Sequence, residues 1–409
     1  MPAALNPNSR FTLLCLAGLV ALGPLSVDMY LPAMPAMQRE LNTDIAHMHL
    51  TLSAYLWGFA VFHLACGPLA DRYGRRPLLL GGTLLFVLAS AGCALAQSVE
   101  QLTLFRVIQG VGACVGPTLA RTITRDVFGP RDAARALSLI AMLMALAPAI
   151  APGLGGIMLR YVAWPSVFVF LGAYGLVVIA IVWYRIPETL PEPQSLAPAA
   201  ILRNYLLLLR DPIFLPVATA SALVYAGLTV YLASSGFVFI DMLGVSVEYF
   251  GLIFLTSVIG YMAGSALSAR LASRFNPAQV VFGGALLGVG ASAAMLGLHQ
   301  LAPGSILAIM LPMTFYAAAL GLVMPNAMAM ALEHHPLIAA TTSSLFGFIQ
   351  MGIAAALTGL VGAVMTTTPQ PMIVAMLAAT ALTLALVLRA RSIVHRDNPP
   401  TANPETATS

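Results

Sequence analysis

The stretch Gly67-Pro68-Leu69-Ala70-Asp71-Arg72-Tyr73-Gly74-Arg75-Arg76-Pro77 puts four charged residues into eleven positions. It stands between two apolar runs, 47–66 and 78–96, each close to the roughly 20 residues a helix needs to cross a bilayer. Gly67 and Gly74 permit a tight reversal and a close helix approach. Asp71 and Arg72 can cap or pair, and Arg75 can reach a carboxylate such as Asp126 near the end of a later apolar run. Such a pair would latch helices together in one conformation and release them in another. The alternative is a short basic loop that only fixes topology.

The same alternation of long apolar runs and short basic loops extends over the whole chain. Of its 409 residues, 59% are hydrophobic and only 8% are charged, with mean hydropathy +0.90. Soluble domains carry about 25% charged residues, so a water-soluble globule is excluded. The apolar runs are continuous instead of alternating, which argues against a transmembrane β-barrel. Spans are expected at 11–36, 47–66, 78–96, 101–124, 135–159 and 164–184, then at 213–239, 247–272, 279–299, 304–332, 338–364 and 370–390. The organisation is therefore a short N-terminal segment (1–10), a six-helix bundle (11–184), a polar linker (185–212), a second six-helix bundle (213–390) and a Pro/Thr-rich tail (391–409). All 19 basic residues are Arg, and 15 of them fall at Arg10, in the loops 72–76 and 125–135, in the linker, at Arg270 and Arg274, and at 389–396. The positive-inside rule then puts both termini in the cytoplasm. Leu69-Ala70-Asp71-Arg72-Tyr73 after span two is echoed by Leu271-Ala272-Ser273-Arg274-Phe275 after span eight, as a parallel repeat requires. Cys15, Cys66, Cys93 and Cys114 lie inside spans and read as inert buried thiols.

Asp28 is the one acid well inside a span. A carboxylate there costs about 2.5–3.5 kcal/mol on insertion scales and defaults to a functional hypothesis. It is the candidate proton carrier, unless it is an interfacial acid already wetted from outside. Arg106, about 9 Å below the outer end of span four at the helical rise, lies at compatible depth and is the expected partner of Asp28. A guanidinium does not give up its proton, so Arg106 would tune the acid instead of carrying the proton. Phe315-Tyr316 takes the place of Phe105-Arg106 in the second half. Pro148, Pro152, Gly153, Gly155 and Gly156 sit within nine residues of span five, where Pro bends a helix and Gly admits a neighbour. Tyr30, Tyr55, Gln109, Tyr231, Phe237, Tyr316, Phe346 and Gln350 are candidates for the lining of a central cavity. His334-His335 with Glu333 lacks further ligands at metal-binding spacing. There is no phosphate-binding Gly-rich loop, Gly-x-Ser-x-Gly or His-Glu-x-x-His, so no enzyme chemistry, cofactor, metal or nucleic-acid partner is expected.

The 67–77 string resembles the signature loop between helices two and three of the major facilitator superfamily. Pro24-Leu25-Ser26-Val27-Asp28-Met29-Tyr30-Leu31-Pro32 resembles the end of helix one in the bicyclomycin-resistance (Bcr/CflA) drug-efflux family. Phe105-Arg106-Val107-Ile108-Gln109-Gly110 is similar to the superfamily's helix-four motif, and Ala147 to Gly156 to its antiporter motif. Pro325-Asn326-Ala327-Met328-Ala329 and Ala340-Thr341-Thr342-Ser343-Ser344-Leu345 fit the same drug-efflux branch. The resemblance implies an all-α integral membrane protein with the major facilitator fold: 12 transmembrane helices in two six-helix bundles about a central cavity. It implies a monomer in the bacterial inner membrane, driven by proton motive force and exporting small amphipathic antibiotics, with the antiporter-motif helix resisting leak. Some relatives carry a second acid two turns before the Asp; Val20 stands there here, which leaves broad handling of cations unsupported. A metabolite exporter on the same scaffold is the alternative, and a non-transporting receptor stands behind it.

Overall fold

The computed structural model describes residues 10–144, 146–190, 198–335 and 338–397. Residues 1–9 of the N-terminal segment, 191–197 of the linker and 398–409 of the tail lie outside the described residues. Lipid offers the backbone no hydrogen bonds, so each segment must satisfy its own N–H and C=O groups, and a helix does this. The apolar runs are accordingly helical: α1 (Arg10–Asp28), α2 (Met34–Glu40), α3 (Ile45–Tyr73), α4 (Arg75–Ala94), α5 (Val99–Met144), α6 (Leu146–Tyr161) and α7 (Pro165–Arg185). The second series is α8 (Pro198–Arg210), α9 (Phe214–Ser235), α10 (Phe250–Leu271), α11 (Pro277–Leu301), α12 (Leu307–Glu333), α13 (Ala339–Val364) and α14 (Gln370–Asp397). Among the described residues, eleven helical segments are long and apolar enough to span a membrane. Their outer faces carry exposed large apolar side chains such as Leu88, Val169, Leu176, Ile259 and Leu360.

Several boundaries differ from the sequence reading. Residues 67–77, expected as a loop, are helical in α3 and α4 apart from Gly74. Residues 125–135, expected as a loop, are helical within α5; Arg131-Asp132-Ala133-Ala134-Arg135-Ala136 is rich in strong helix formers. The start of the expected span 135–159 therefore belongs to α5, and α6 begins at Leu146. At the other end, α14 continues through 391–397, which had been assigned to the tail.

Packing repeats between the halves. In the first, α3 and α4 pack on α5, α4 packs on α7, and α1 packs on α5 and α6. In the second, α10 and α11 pack on α12, α11 packs on α14, and α9 packs on α12 and α13. One mapping (α1 to α9, α3 to α10, α4 to α11, α5 to α12, α6 to α13, α7 to α14) carries each of these contacts onto its counterpart. Gly58 of α3 and Gly260 of α10 show the repeat at atomic scale: a Cβ on Gly58 would strike the Val107 carbonyl of α5, and one on Gly260 the Thr314 carbonyl of α12. The halves meet along α3–α13 and α6–α10, two interfaces that the same mapping exchanges. The molecule has a basic end, where α3 passes into α4 through Gly74, and a far end opposite.

Polar residues fix the helix starts at the ends. Asp44 accepts from the His47 amide at 2.8 Å and opens α3, and Asn276 and Gln279 form a reciprocal capping box at α11. Asp211 accepts from the amides of Ile213 and Phe214, both at 2.7 Å, and from His335 at 2.7 Å. Burial alone would push the Asp211 carboxyl up, but the two amides and the imidazole outweigh it and hold the group below the ordinary carboxylate range. Its contribution is therefore present above the unfolded value near pH 4 and lost as pH falls through the lower folded value. Asp211→Ala is expected to cost about 1–2 kcal/mol at neutral pH. In thermal unfolding, the gap between wild type and variant should close as the pH falls from the unfolded carboxylate value through the lower folded one.

Candidate functional site

Asp28 is the last residue of α1. Pro32 has no N–H to return to the Asp28 carbonyl, so the helix stops there and the chain turns through Leu31–Ala33 into α2. The Asp28 side chain is buried, with 4% of the residue exposed. It faces neither lipid nor bulk water. Its carboxyl lies within electrostatic reach of the hydroxyls of Tyr55 on α3 and Tyr225 on α9, so it sits where the two halves face each other.

The expected pairing of Asp28 with Arg106 is not what the structure shows: among the described residues they form no ion pair. The Arg106 guanidinium is fully buried and lies between two aromatic faces, 4.4 Å from the Tyr30 ring centre and 4.3 Å from that of Tyr55. One terminal nitrogen donates to the Ser26 carbonyl at 3.2 Å and to Gln109 Oε1 at 2.6 Å. Gln109 Nε2 donates in turn to Ser90 on α4 at 2.8 Å. The other terminal nitrogen and Nε have no hydrogen-bond partner among the described residues. Two ring faces and a carbonyl thus offset the burial of this charge where a carboxylate would otherwise do so. Tyr55 lies against the Arg106 guanidinium and within electrostatic reach of Asp28. In the second half the matched glycine contacts set Thr314 opposite Val107, so Met313 and not the expected Tyr316 stands at the Arg106 register; the Tyr316 hydroxyl donates to the Val224 carbonyl of α9 at 2.8 Å.

The eight cavity candidates are all buried, but the structure does not gather them into one lining. Gln109 belongs to the Arg106–Ser90 network within the first half. Tyr30 contacts the Thr51 hydroxyl and packs on Phe168 with ring centres 5.9 Å apart. Tyr231 packs against Phe239 and Phe254 in the second half. Phe237 crosses between halves and stacks on His49 at 6.0 Å. Phe346 and Gln350 lie on α13, where Gln350 Nε2 has no partner among the described residues. Tyr225 is likewise one of the span aromatics that could line a cavity, and the packing of α9 brings it within electrostatic reach of Asp28.

At the basic end, Gly74 adopts φ 100°, which an L side chain rarely tolerates. The Arg75 guanidinium meets the Asp126 carboxylate of α5, with Asp71 at 3.9 Å. Arg72 is exposed. The sequence reading missed Glu188, just beyond α7. Its carboxylate accepts from the Arg75 and Arg76 amides at 3.0 and 3.2 Å, and from Thr189 and Leu190 at 2.9 Å. The signal was present: Gly74 has no side chain to cap α4, and the first turn of α4 contains no acid, so the amides there need an acceptor from elsewhere. Arg76 also donates to the Trp183 carbonyl at 2.8 Å. Glu188→Ala is expected to cost about 1–2 kcal/mol and Glu188→Gln less, as read from thermal unfolding of the purified protein.

At the far end the halves are shut against each other. A Cβ on Gly156 of α6 would strike the Val247 carbonyl, and one on Gly251 would come within 2.6 Å of the Gly153 Cα. Gly155 faces the other way, onto Met29 and Pro32. Pro148 and Pro152 lie on the same helix. Arg39–Asp241 at 3.0 Å and Arg160–Glu248 at 3.1 Å bridge the halves at the rim. Ser53 donates to the Ala355 carbonyl at 2.7 Å.

Matched halves of membrane-length helices, meeting along two exchangeable seams around a buried acid, define a multi-pass membrane transporter. The Major Facilitator Superfamily model matches residues 16–358, and the chain belongs to that superfamily. It is 30% identical over 375 residues to the uncharacterized MFS-type transporter YdgK of Bacillus subtilis, covering 90% of this chain and 92% of that one. It is 28% identical over 372 residues to a bicyclomycin resistance protein homolog of Haemophilus influenzae, covering 90% and 93%. A chloramphenicol resistance protein of Pseudomonas aeruginosa is 38% identical over 181 residues, covering 44% of this chain and 43% of that one. Among solved structures, a peptide transporter POT in complex with sulfate superposes with TM-score 0.77 at 17% identity, covering 96% and 97%. A D-xylose-proton symporter gives 0.71 at 15% identity, covering 93% and 97%. These two show the fold.

Proposed function

We propose that this protein exports small amphipathic antibiotics, of the bicyclomycin and phenicol type, across the bacterial inner membrane in exchange for protons. The observation that carries the coupling is the buried Asp28 carboxyl between the halves, within electrostatic reach of Tyr55 and Tyr225. The names of the resistance-protein relatives supply the substrate class. The basic end is cytoplasmic, as the Arg distribution requires, and the protein works as a monomer. The far end then faces outward, closed through α6 and α10. An external proton enters Asp28 when that end opens, and substrate leaves. The bundles rock back to the arrangement with the far end shut, in which Arg75 and Asp126 are in contact, and proton release inside admits the next substrate. Reciprocity requires proton and drug to weaken each other's binding. One charge crossing 100 mV yields about 2.3 kcal/mol, enough for a roughly 50-fold gradient of a neutral drug at about 1.4 kcal/mol per decade.

The test is transport in proteoliposomes across a drug panel with an imposed pH gradient and membrane potential. Drug should accumulate against its gradient and collapse on addition of a protonophore. Failure to move any panel drug while moving an amino acid or sugar would overturn the substrate class. Drug movement indifferent to the protonophore would overturn the coupling.

A further inference from the structure

The linker helix α8 has features that neither its length nor the transport cycle calls for. One face packs against the bundle: Leu208 is fully buried, and the Tyr205 hydroxyl donates to the Leu64 carbonyl of α3 at 3.1 Å. That carbonyl is available because Pro68, four residues on, has no N–H to return to it. The bond sets the depth of α8, since Leu64 lies two residues before the end of the apolar run 47–66. Therefore α8 lies at the boundary between hydrocarbon and headgroups.

Its remaining surface is divided. Leu202, Leu206 and Leu209, spaced to share one stripe, are 58%, 44% and 41% exposed. Arg203, Leu207 and Arg210 form the adjoining stripe, and both arginines are exposed. Among the described residues neither arginine makes an ion pair. Between them lies a groove of about 470 Å³ lined by Arg203, Leu206, Leu207, Arg210 and Asp211. The Asp211 carboxylate is committed to the amides of Ile213 and Phe214 and to His335, so two guanidinium groups stand against one carboxylate that is already bonded elsewhere, and the groove is net positive. Exposed leucines beside paired arginines at this depth are the pattern of a helix lying in an anionic leaflet.

We infer that α8 lies in the headgroup layer of the cytoplasmic leaflet and that the groove between Arg203 and Arg210 binds the phosphate of an anionic phospholipid, whose acyl chains run over Leu202, Leu206 and Leu209. The leaflet follows from the orientation given above; the binding site itself needs neither that orientation nor transport. The experiment is native mass spectrometry of the full-length protein in detergent, titrated with phosphatidylglycerol or phosphatidylcholine of matched chains. Wild type should prefer phosphatidylglycerol, and raising the salt should erode the preference. Each basic residue near an anionic surface is worth a factor of about 5, so R203Q/R210Q should weaken phosphatidylglycerol about 25-fold and leave phosphatidylcholine unchanged. R203K/R210K should retain most of the preference, and L206S/L209S should weaken both lipids alike. Equal affinity of wild type for the two lipids, or full phosphatidylglycerol affinity in R203Q/R210Q, overturns the site. Displacement of the lipid by millimolar inorganic phosphate alone would make it a free-phosphate site and overturn it too. Since both arginines are exposed, the glutamine variant should melt with wild type; were it to misfold, the salt dependence and lipid preference of wild type still decide the matter.

Discussion

Asp28→Asn is expected to abolish proton-driven accumulation while leaving drug binding in place. Asparagine keeps the shape of the side chain and neither gains nor loses a proton. The drug gradient sustained at 100 mV should fall from about 50-fold to about 1, because no charge then crosses with each turnover. The measurement is drug accumulation in proteoliposomes with an imposed potential, beside equilibrium binding of the same drug. Binding within a few-fold of wild type, at all pH values, is the expected companion result, since a group that cannot titrate cannot make drug affinity depend on pH. A variant that pumped normally at every pH would remove Asp28 from the mechanism. Asp28→Glu should retain part of the coupling, because a titratable carboxyl still stands at the end of α1 between the halves.

The second large effect is expected at the far-end seam. Gly156→Val and Gly251→Val each force atoms into occupied space, one against the Val247 carbonyl and the other against the Gly153 backbone. Overpacking of this kind costs about 1–3 kcal/mol, and here the cost falls only on the state in which α6 meets α10. The far-end-closed population should drop by a factor of about 5 to 150, and transport should fall with it. The reporter is a cysteine in place of the fully buried Thr358, with the four native cysteines replaced, challenged with a membrane-impermeant maleimide from the far side. Labelling should accelerate in both variants. Gly283 has open space where a Cβ would go, so Gly283→Val serves as the control and should label and transport as the parent does. Unchanged labelling in the Gly156 and Gly251 variants would mean that the far end closes by some other contact.

Much of the architecture was readable in the chain because a bilayer imposes local rules. Span length, apolar composition and the placement of Arg are each properties of a short window, so the run from Thr12 to Ala390 resolves into helices without knowledge of what touches what. The errors fell at boundaries that lipid does not police. Residues 125–135 are polar enough to leave the membrane, and polarity says nothing about whether the backbone there stays helical. The Leu69/Leu271 echo identified the repeat, and its spacing also relates Gly58 to Gly260, whose matching contacts could be seen only once α5 and α12 were in place.

The site was legible in part. Asp28 stood out because a carboxylate in hydrocarbon needs a reason, and Arg106 for the same reason. Their depths agreed, which made a pair look natural. Depth along a helix does not fix rotation about its axis, however, and the rotation of α5 turns the guanidinium between Tyr30 and Tyr55. The need for an acceptor at the first turn of α4 was legible from Gly74 and the absence of an acid there, but backbone amides carry no side-chain signature that names Glu188 as the group that meets it. The amino-acid sequence by itself determined that this is a polytopic membrane protein of two helical sets with one deep acid, since those follow from transfer energies summed residue by residue, and its motifs supplied the resemblance to a transporter family. Only the tertiary structure decided which groups surround that acid, which glycines form the seam and what closes the far end, since these depend on contacts between helices distant in the chain.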